Sequence, residues 1–200
     1  MTYRVNEIFT TIQGEGFWTG RVAVFCRFSG CNLWTGIEAD RASAICTFCD
    51  TDFVNFKEYS LQELISEITG CWPGGGHPMV VFTGGEPTLQ LNADLVKTLR
   101  QQGWYVAVET NGTKPIPFWV DWVCVSPKTP TIRVDCDELK LVFPQQLSPE
   151  MFNTVDADYY WLSPMDGPLL KENMAAAFAY VLRHPQWRLN IQTHKVLGVR

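Results

Sequence analysis

The sequence predicts an α/β fold built on a mostly parallel sheet. Short β-branched and aromatic runs alternate with amphipathic helical stretches, and strands outnumber helices. Polar or glycine-rich motifs also follow several strand ends: SGCN, TGGEP, ETNGT and SPK. In parallel sheets and barrels that edge is where ligands bind.

The first strong strand is Arg21–Phe28, RVAVFCRF, followed by a polar stretch to about Tyr59. Ser60 has the features of a helix N-cap, with Glu63 completing a capping box. Leu61, Leu64, Ile65 and Ile68 lie at helical spacing behind it, and Gly70 is expected to stop that helix. Met79–Thr83 is an apolar run of the buried-parallel kind. Asn92 is placed to cap a second helix through Leu95, Val96 and Leu99, ended by Gly103. Strands are expected at Tyr105–Glu109, Trp122–Ser126, Leu139–Phe143 and Tyr159–Ser163. Ser148 and Pro149 predict a helix start. The alanine-rich Lys171–Arg183 predicts another helix, and Leu189–Thr193 a final strand.

Two hundred residues are about one domain's worth of chain, so a single domain over residues 1–200 is expected. Hydrophobic residues make up 46% and charged residues 18%, which excludes a disordered chain. A net charge of −5 argues against gripping nucleic acid by bulk charge. No apolar run is long enough to span a bilayer, and MTYRVNEIF has no secretory core, so a cytoplasmic protein without membrane or nucleic-acid partners is expected.

Seven cysteines without such a leader point to metal or structural thiols rather than disulfides. Cys46 and Cys49 form a CxxC, and Cys31 precedes them at a strand end. Zinc would want four protein ligands, whereas three thiolates suit a [4Fe–4S] cluster with one open iron. Spacing alone leaves a zinc site, a redox pair and a cluster about equally open.

RFSGCNLW, CTFCD and the GGEP at Gly84–Pro87 occur in the order of the radical S-adenosylmethionine superfamily, which the chain resembles. The superfamily's usual spacing is CxxxCxxC. Here fourteen residues separate Cys31 from Cys46, an insertion of about eleven that includes GIEADRASAI. Cys26 lies inside the strand run, whereas Cys31 has the GCN context. With TIQGEG, CDT, ETNGT, VSPK and a closing QTHK, the resemblance narrows to the 7-carboxy-7-deazaguanine synthases and spans residues 11 to 195.

That resemblance implies a trimmed, partial (β/α) barrel of the radical SAM type. It implies a lyase of queuosine and 7-deazapurine biosynthesis. Such an enzyme contracts 6-carboxy-5,6,7,8-tetrahydropterin to 7-carboxy-7-deazaguanine with loss of ammonia, through a cofactor-derived adenosyl radical. Cys31, Cys46 and Cys49 would ligate the cluster. Phe48, Asp50, Gly84, Gly85, Glu86, Ser126, Pro127 and Lys128 would serve S-adenosylmethionine. Gln13, Glu15, Arg27 and Thr83, with the backbone of Ile12 and Gly14, would contact the pterin, and Gln192 and His194 would close the site from the last strand. Carboxylate and amide side chains match an amidine edge, and an Arg fork matches a carboxylate. Thr51 would hold Mg²⁺. A homodimer and an external donor such as a flavodoxin are further implications. Glu109 and Asn111 are open to structural or functional readings. The rival readings are a glycyl-radical-activating enzyme, which would not require IQGEG, Arg27 and CDT together, and a zinc-stabilised binding module.

Overall fold

A computed structural model describes residues 2–199. Among these residues, nine strands form one sheet in the order β3-β1-β2-β4-β5-β6-β7-β8-β9. They are β1 (Tyr3–Ile12), β2 (Val22–Phe28), β3 (Lys57–Tyr59), β4 (Met79–Gly84), β5 (Tyr105–Thr110), β6 (Trp122–Val125), β7 (Glu138–Phe143), β8 (Tyr159–Pro164) and β9 (Trp187–Leu189). From β2 to β9 every pairing is parallel, while β1 runs antiparallel to both β2 and β3. The sheet curves without closing, which makes it a partial barrel.

Strand alternation gives the sheet two faces. Val24, Cys26, Phe28, Val80, Phe82, Val106 and Val108 pack outward beneath α1 (Leu61–Cys71) and α2 (Ala93–Gln101). Leu139, Leu141 and Leu162 do the same beneath α3 (Leu170–Arg183). The inward positions change character along the strands. At the N-terminal end, Met79, Val81 and Ala107 pack with Trp18, Tyr105 and Trp122. At the other end stand Arg27, Thr83, Glu109, Ser126, Lys140 and Ser163, all facing a cavity. An aromatic floor thus lies under a polar chamber. Phe17 contributes to that floor, 5.0 Å from the Trp122 ring and 4.7 Å from Tyr159.

The capping and stop signals at Ser60, Asn92 and Gly103 act as expected. Ser60 accepts from Glu63 N while Glu63 accepts from Ser60 N, so the capping box forms at α1. Asn92 accepts from Leu95 N at 3.0 Å. Gly103 takes φ +84°, a left-handed turn that stops α2 at negligible steric cost.

Several elements differ from expectation. β1 and β3 lie outside the expected strands, although Tyr3-Arg4-Val5 alternates buried and exposed. The antiparallel pairing of β1 with β2 covers one edge of the parallel sheet. Gly70 lies inside α1, which continues to Cys71. Ser148-Pro149 opens only a single 3-10 turn, Pro149–Phe152, anchored by buried Phe152, and Ser148 makes no side-chain cap bond. The final strand is β9 at Trp187–Leu189, earlier than Leu189–Thr193, because buried Trp187 fixes its register against Tyr160. The chain then turns away, and Thr193 opens a short helix, α4 (Thr193–Leu197).

That departure positions the site. Thr193 N and Oγ1 both donate to Gly14 O at 3.0 Å, and Asn190 Oδ1 accepts from Gly16 N at 2.8 Å. The C-terminal segment therefore docks onto the turn between β1 and β2.

Candidate active site

A cavity of about 810 Å³ opens at the C-terminal ends of the parallel strands. That is within the usual range for small-molecule sites and leaves room for more than one ligand. Cys31, Cys46 and Cys49 share its wall with Phe48, Asp50, Thr51, Gly84, Gly85, Ser126 and Lys128. Ile12, Gln13, Gly14, Glu15, Arg27, Thr83, Gln192 and His194 line it as well.

Two of the expected residues stand behind the wall. Glu86 is fully buried and accepts from Thr88 N, Thr88 Oγ1, Thr110 Oγ1 and Asn111 N at 2.6–3.0 Å. Its carboxylate is consumed in holding the GGEP turn to the ETNGT strand end, because a buried carboxylate needs its lone pairs occupied. Pro127 is likewise buried behind Ser126 and Lys128. Gln192 and His194 reach the cavity, but not from a strand: Gln192 precedes α4 and His194 lies within it.

The glycines of GGEP serve a close approach between two backbones. A Cβ on Gly84, at φ +142°, would lie 2.2 Å from Phe28 O, and one on Gly85 would lie 2.2 Å from Gly30 O. Gly85 N and Glu86 N donate to those same carbonyls at 3.2 and 2.9 Å. The loop carrying Cys31 is thereby stitched to the loop after β4.

Cys31 accepts from Leu33 N at 3.4 Å. Burial nonetheless raises its thiol above the ordinary range. The Cys46 thiol donates to Cys49, which pushes Cys49 down to about 6 and Cys46 up. Thr51, through its amide and its hydroxyl, also stabilises the Cys49 sulfur as an anion. Cys26, by contrast, is buried on the helix-facing side of β2, and burial lifts its thiol. Among the described residues, no three Cys, His, Asp or Glu side chains converge on a single ion. Three thiols lining one cavity without a fourth match in number a cluster that leaves one iron open, each sulfur taking a different iron. Lys128 is next to them, 5.9 Å over the Phe48 ring, and bonds Ser126 O at 3.0 Å and Ser126 Oγ at 2.6 Å.

The cavity also holds a charge network drawn from separate segments of the chain. Lys140 on β7 ion-pairs with Glu15 and, at 3.1 Å, with Glu109. Gln13 donates to Glu109 at 2.8 Å, and Gln192 donates to Glu15 at 2.7 Å. Glu109 and Asn111 both line the cavity, and Asn111 also braces Asn32 and Thr113. The available signal for Lys140 was a lone cation inside the apolar run ELKLVF. Arg27 faces the same space, with Nε donating to Glu7 at 2.9 Å. The network presents more negative than positive charge to a ligand's N–H edge, and Arg27 adds a cation.

Residues 40–134 match the Radical SAM superfamily. The whole chain is 52% identical to the 7-carboxy-7-deazaguanine synthase of Caulobacter vibrioides, over 209 residues and all of both chains. It is 52% identical to that of Bordetella pertussis, over 211 residues and again all of both chains. The crystal structure of QueE from Escherichia coli superposes with a TM-score of 0.71 at 26% identity, covering 96% of this chain and 94% of the other.

Proposed function

The chain belongs to the 7-carboxy-7-deazaguanine synthases of the radical S-adenosylmethionine superfamily, and on that premise we propose that it contracts 6-carboxy-5,6,7,8-tetrahydropterin to 7-carboxy-7-deazaguanine with loss of ammonia. One observation carries the reading. The cysteines of the GCN and CxxC motifs and the polar residues of IQGEG line one cavity. Full-length identity to named synthases disfavours glycyl-radical activation.

Membership of the superfamily implies a [4Fe–4S] cluster and S-adenosylmethionine, which when bound supply hydrogen-atom abstraction. Cys31, Cys46 and Cys49 are the thiolates for it. Phe48, Asp50, Gly84, Gly85, Ser126 and Lys128 form the adjacent wall for the adenosyl and methionyl groups, and Glu86 and Pro127 hold that wall from behind. The pterin is assigned to the other side. Glu15 and Gln13 face its N–H donors, Arg27 takes the 6-carboxylate, and Thr83, His194, Gln192 and the backbone of Ile12 and Gly14 complete the enclosure. Thr51 is assigned to Mg²⁺, a hard ion that keeps waters and needs few protein oxygens. A homodimer is expected, and Met174, Phe178 and Leu182 form an exposed apolar row on α3 suited to such a contact. A flavodoxin-like donor and a cytoplasmic setting belong to the same reading.

The test is anaerobic incubation of the reconstituted protein with the tetrahydropterin, S-adenosylmethionine and a reductant, followed by mass analysis of the product. Product should vanish with the iron and sulfide in Cys31→Ala, Cys46→Ala and Cys49→Ala. It should persist in Cys26→Ala, Cys71→Ala, Cys124→Ala and Cys136→Ala. Full cluster content in Cys31→Ala with loss in Cys26→Ala would overturn the ligand assignment.

A further inference from the structure

The fourteen residues between Cys31 and Cys46 carry a side chain that joins the two halves of the proposed ligand set. Within this segment Glu38–Ser43 makes a 3-10 turn. Arg41 leaves that turn and lies over the Trp34 ring at 4.2 Å. Its Nη1 donates to Thr47 O at 3.0 Å and to Cys49 O at 2.9 Å. Its Nε donates to both carboxylate oxygens of Glu38 at 2.8 Å. Trp34 is buried, edge-on to Phe53 at 5.7 Å, and adjoins Leu33, whose amide bonds Cys31 Sγ. Leu33 O in turn accepts from Ile45 N at 3.2 Å, next to Cys46. One guanidinium therefore braces the Cys31 loop through an aromatic ring and the CxxC turn through two carbonyls.

We infer that Arg41 is a positioning residue for the cluster site, pinning the CxxC turn and placing a fixed cation beside its thiolates. The inference rests on the assignment of Cys31, Cys46 and Cys49 as cluster ligands. Drawing the Thr47 and Cys49 carbonyls toward Arg41 turns the Phe48 and Asp50 amides, trans to them, to the opposite side of the turn. The fork geometry matters for that, because Nη1 reaches two carbonyls while Nε is held by Glu38. The charge acts separately. Adding an electron to a thiolate-bound cluster adds negative charge, so a nearby cation favours the reduced form.

Three proteins separate these effects: the parent, Arg41→Gln and Arg41→Lys. Each is reconstituted anaerobically and checked by far-UV circular dichroism. Iron release to bathophenanthroline and the cluster midpoint potential, followed by electron paramagnetic resonance, are then measured. Arg41→Gln should release iron about tenfold faster, in line with losing one or two charged hydrogen bonds, and its midpoint should become more negative. Arg41→Lys should release iron as fast as the Gln variant while staying near the parental midpoint. Parental release and midpoint in Arg41→Gln would overturn the inference. If Arg41→Gln does not fold, the lysine variant decides: fast release at an unchanged midpoint supports the inference, and parental release overturns it. A parent that binds no iron and sulfide sinks the ligand assignment instead, so the two failures are distinguishable.

Discussion

Lys140 donates from Nζ to Glu15 across a sequence separation of 125 residues, and both side chains are largely buried. Burial works against the charge on Glu15, but Lys140 outweighs it, helped by Gln192 and His194, and holds the carboxyl below its ordinary 4.5. Burial likewise opposes the charge on Lys140, yet Cys124, Glu109 and Glu15 together keep its pKa well above 10.5. The pair stays ionised throughout the neutral range, and the Glu15 carboxylate keeps a fixed direction toward the cavity.

This pair makes stability depend on pH in a defined window. The folded pKa of Glu15 is depressed, so its contribution is present above about 4.5 and lost as the pH falls through the lower folded value. The folded pKa of Lys140 is raised, so its contribution is complete below about 10.5 and lost as the pH rises through the higher folded value. Glu15→Gln should flatten the acid limb of a plot of urea midpoint against pH. Lys140→Met leaves the part-buried Glu15 and Glu109 carboxylates without their cation and should cost about 3 kcal/mol at neutral pH. An unchanged acid limb in Glu15→Gln would remove the pair as its cause.

Arg27→Ala should weaken binding of the tetrahydropterin more than cleavage of S-adenosylmethionine. Arg27 stands on the inward face of β2, paired with Glu7 at 2.9 Å and open to the cavity. Stranding a desolvated substrate carboxylate should cost on the order of 2–5 kcal/mol. The measurement compares 5′-deoxyadenosine formed without product against product formed. An equal fall in both, with loss of S-adenosylmethionine binding, would assign Arg27 to the cofactor or the fold.

Thr51 tests the metal. Its hydroxyl bonds the Cys49 sulfur, and the residue lines the cavity. After chelator treatment, added Mg²⁺ should raise product formation in the parent. Thr51→Ala should lose most of that response and keep its iron and sulfide. Equal stimulation in both proteins removes Thr51 from the metal site, and no stimulation in the parent removes the metal.

Gly85→Ala should disrupt the site without touching a ligand. The new methyl would meet Gly30 O at 2.2 Å, a backbone atom that cannot swing aside, and Cys31 Cβ at 2.9 Å. A loss of about 3 kcal/mol in unfolding free energy and a fall in cluster content are expected. Gly103→Ala is the contrast. A Cβ there meets nothing within 4 Å, so only the strain of φ +84° remains and cluster content should hold.

The sequence by itself determined the α/β alternation, the capped helices and the motif set. Those signals are local: Ser60 and Glu63 are three residues apart, and β4 is a continuous apolar run between turn residues. It also determined which cysteines carry a recognisable context, and the cavity holds those three and excludes Cys26. Tertiary structure alone decided which polar residues act together. Glu15, Glu109, Lys140 and Gln192 come from four separate segments, and only sheet curvature and the docking of the C-terminal segment onto Gly14 bring them together. It alone placed Glu86 behind the wall, because satisfying that carboxylate takes groups from β5 and the following turn. The end of β9 escaped the sequence for the same reason: Thr193 has strand propensity, but its amide and hydroxyl find Gly14 O across the barrel opening rather than a neighbouring strand.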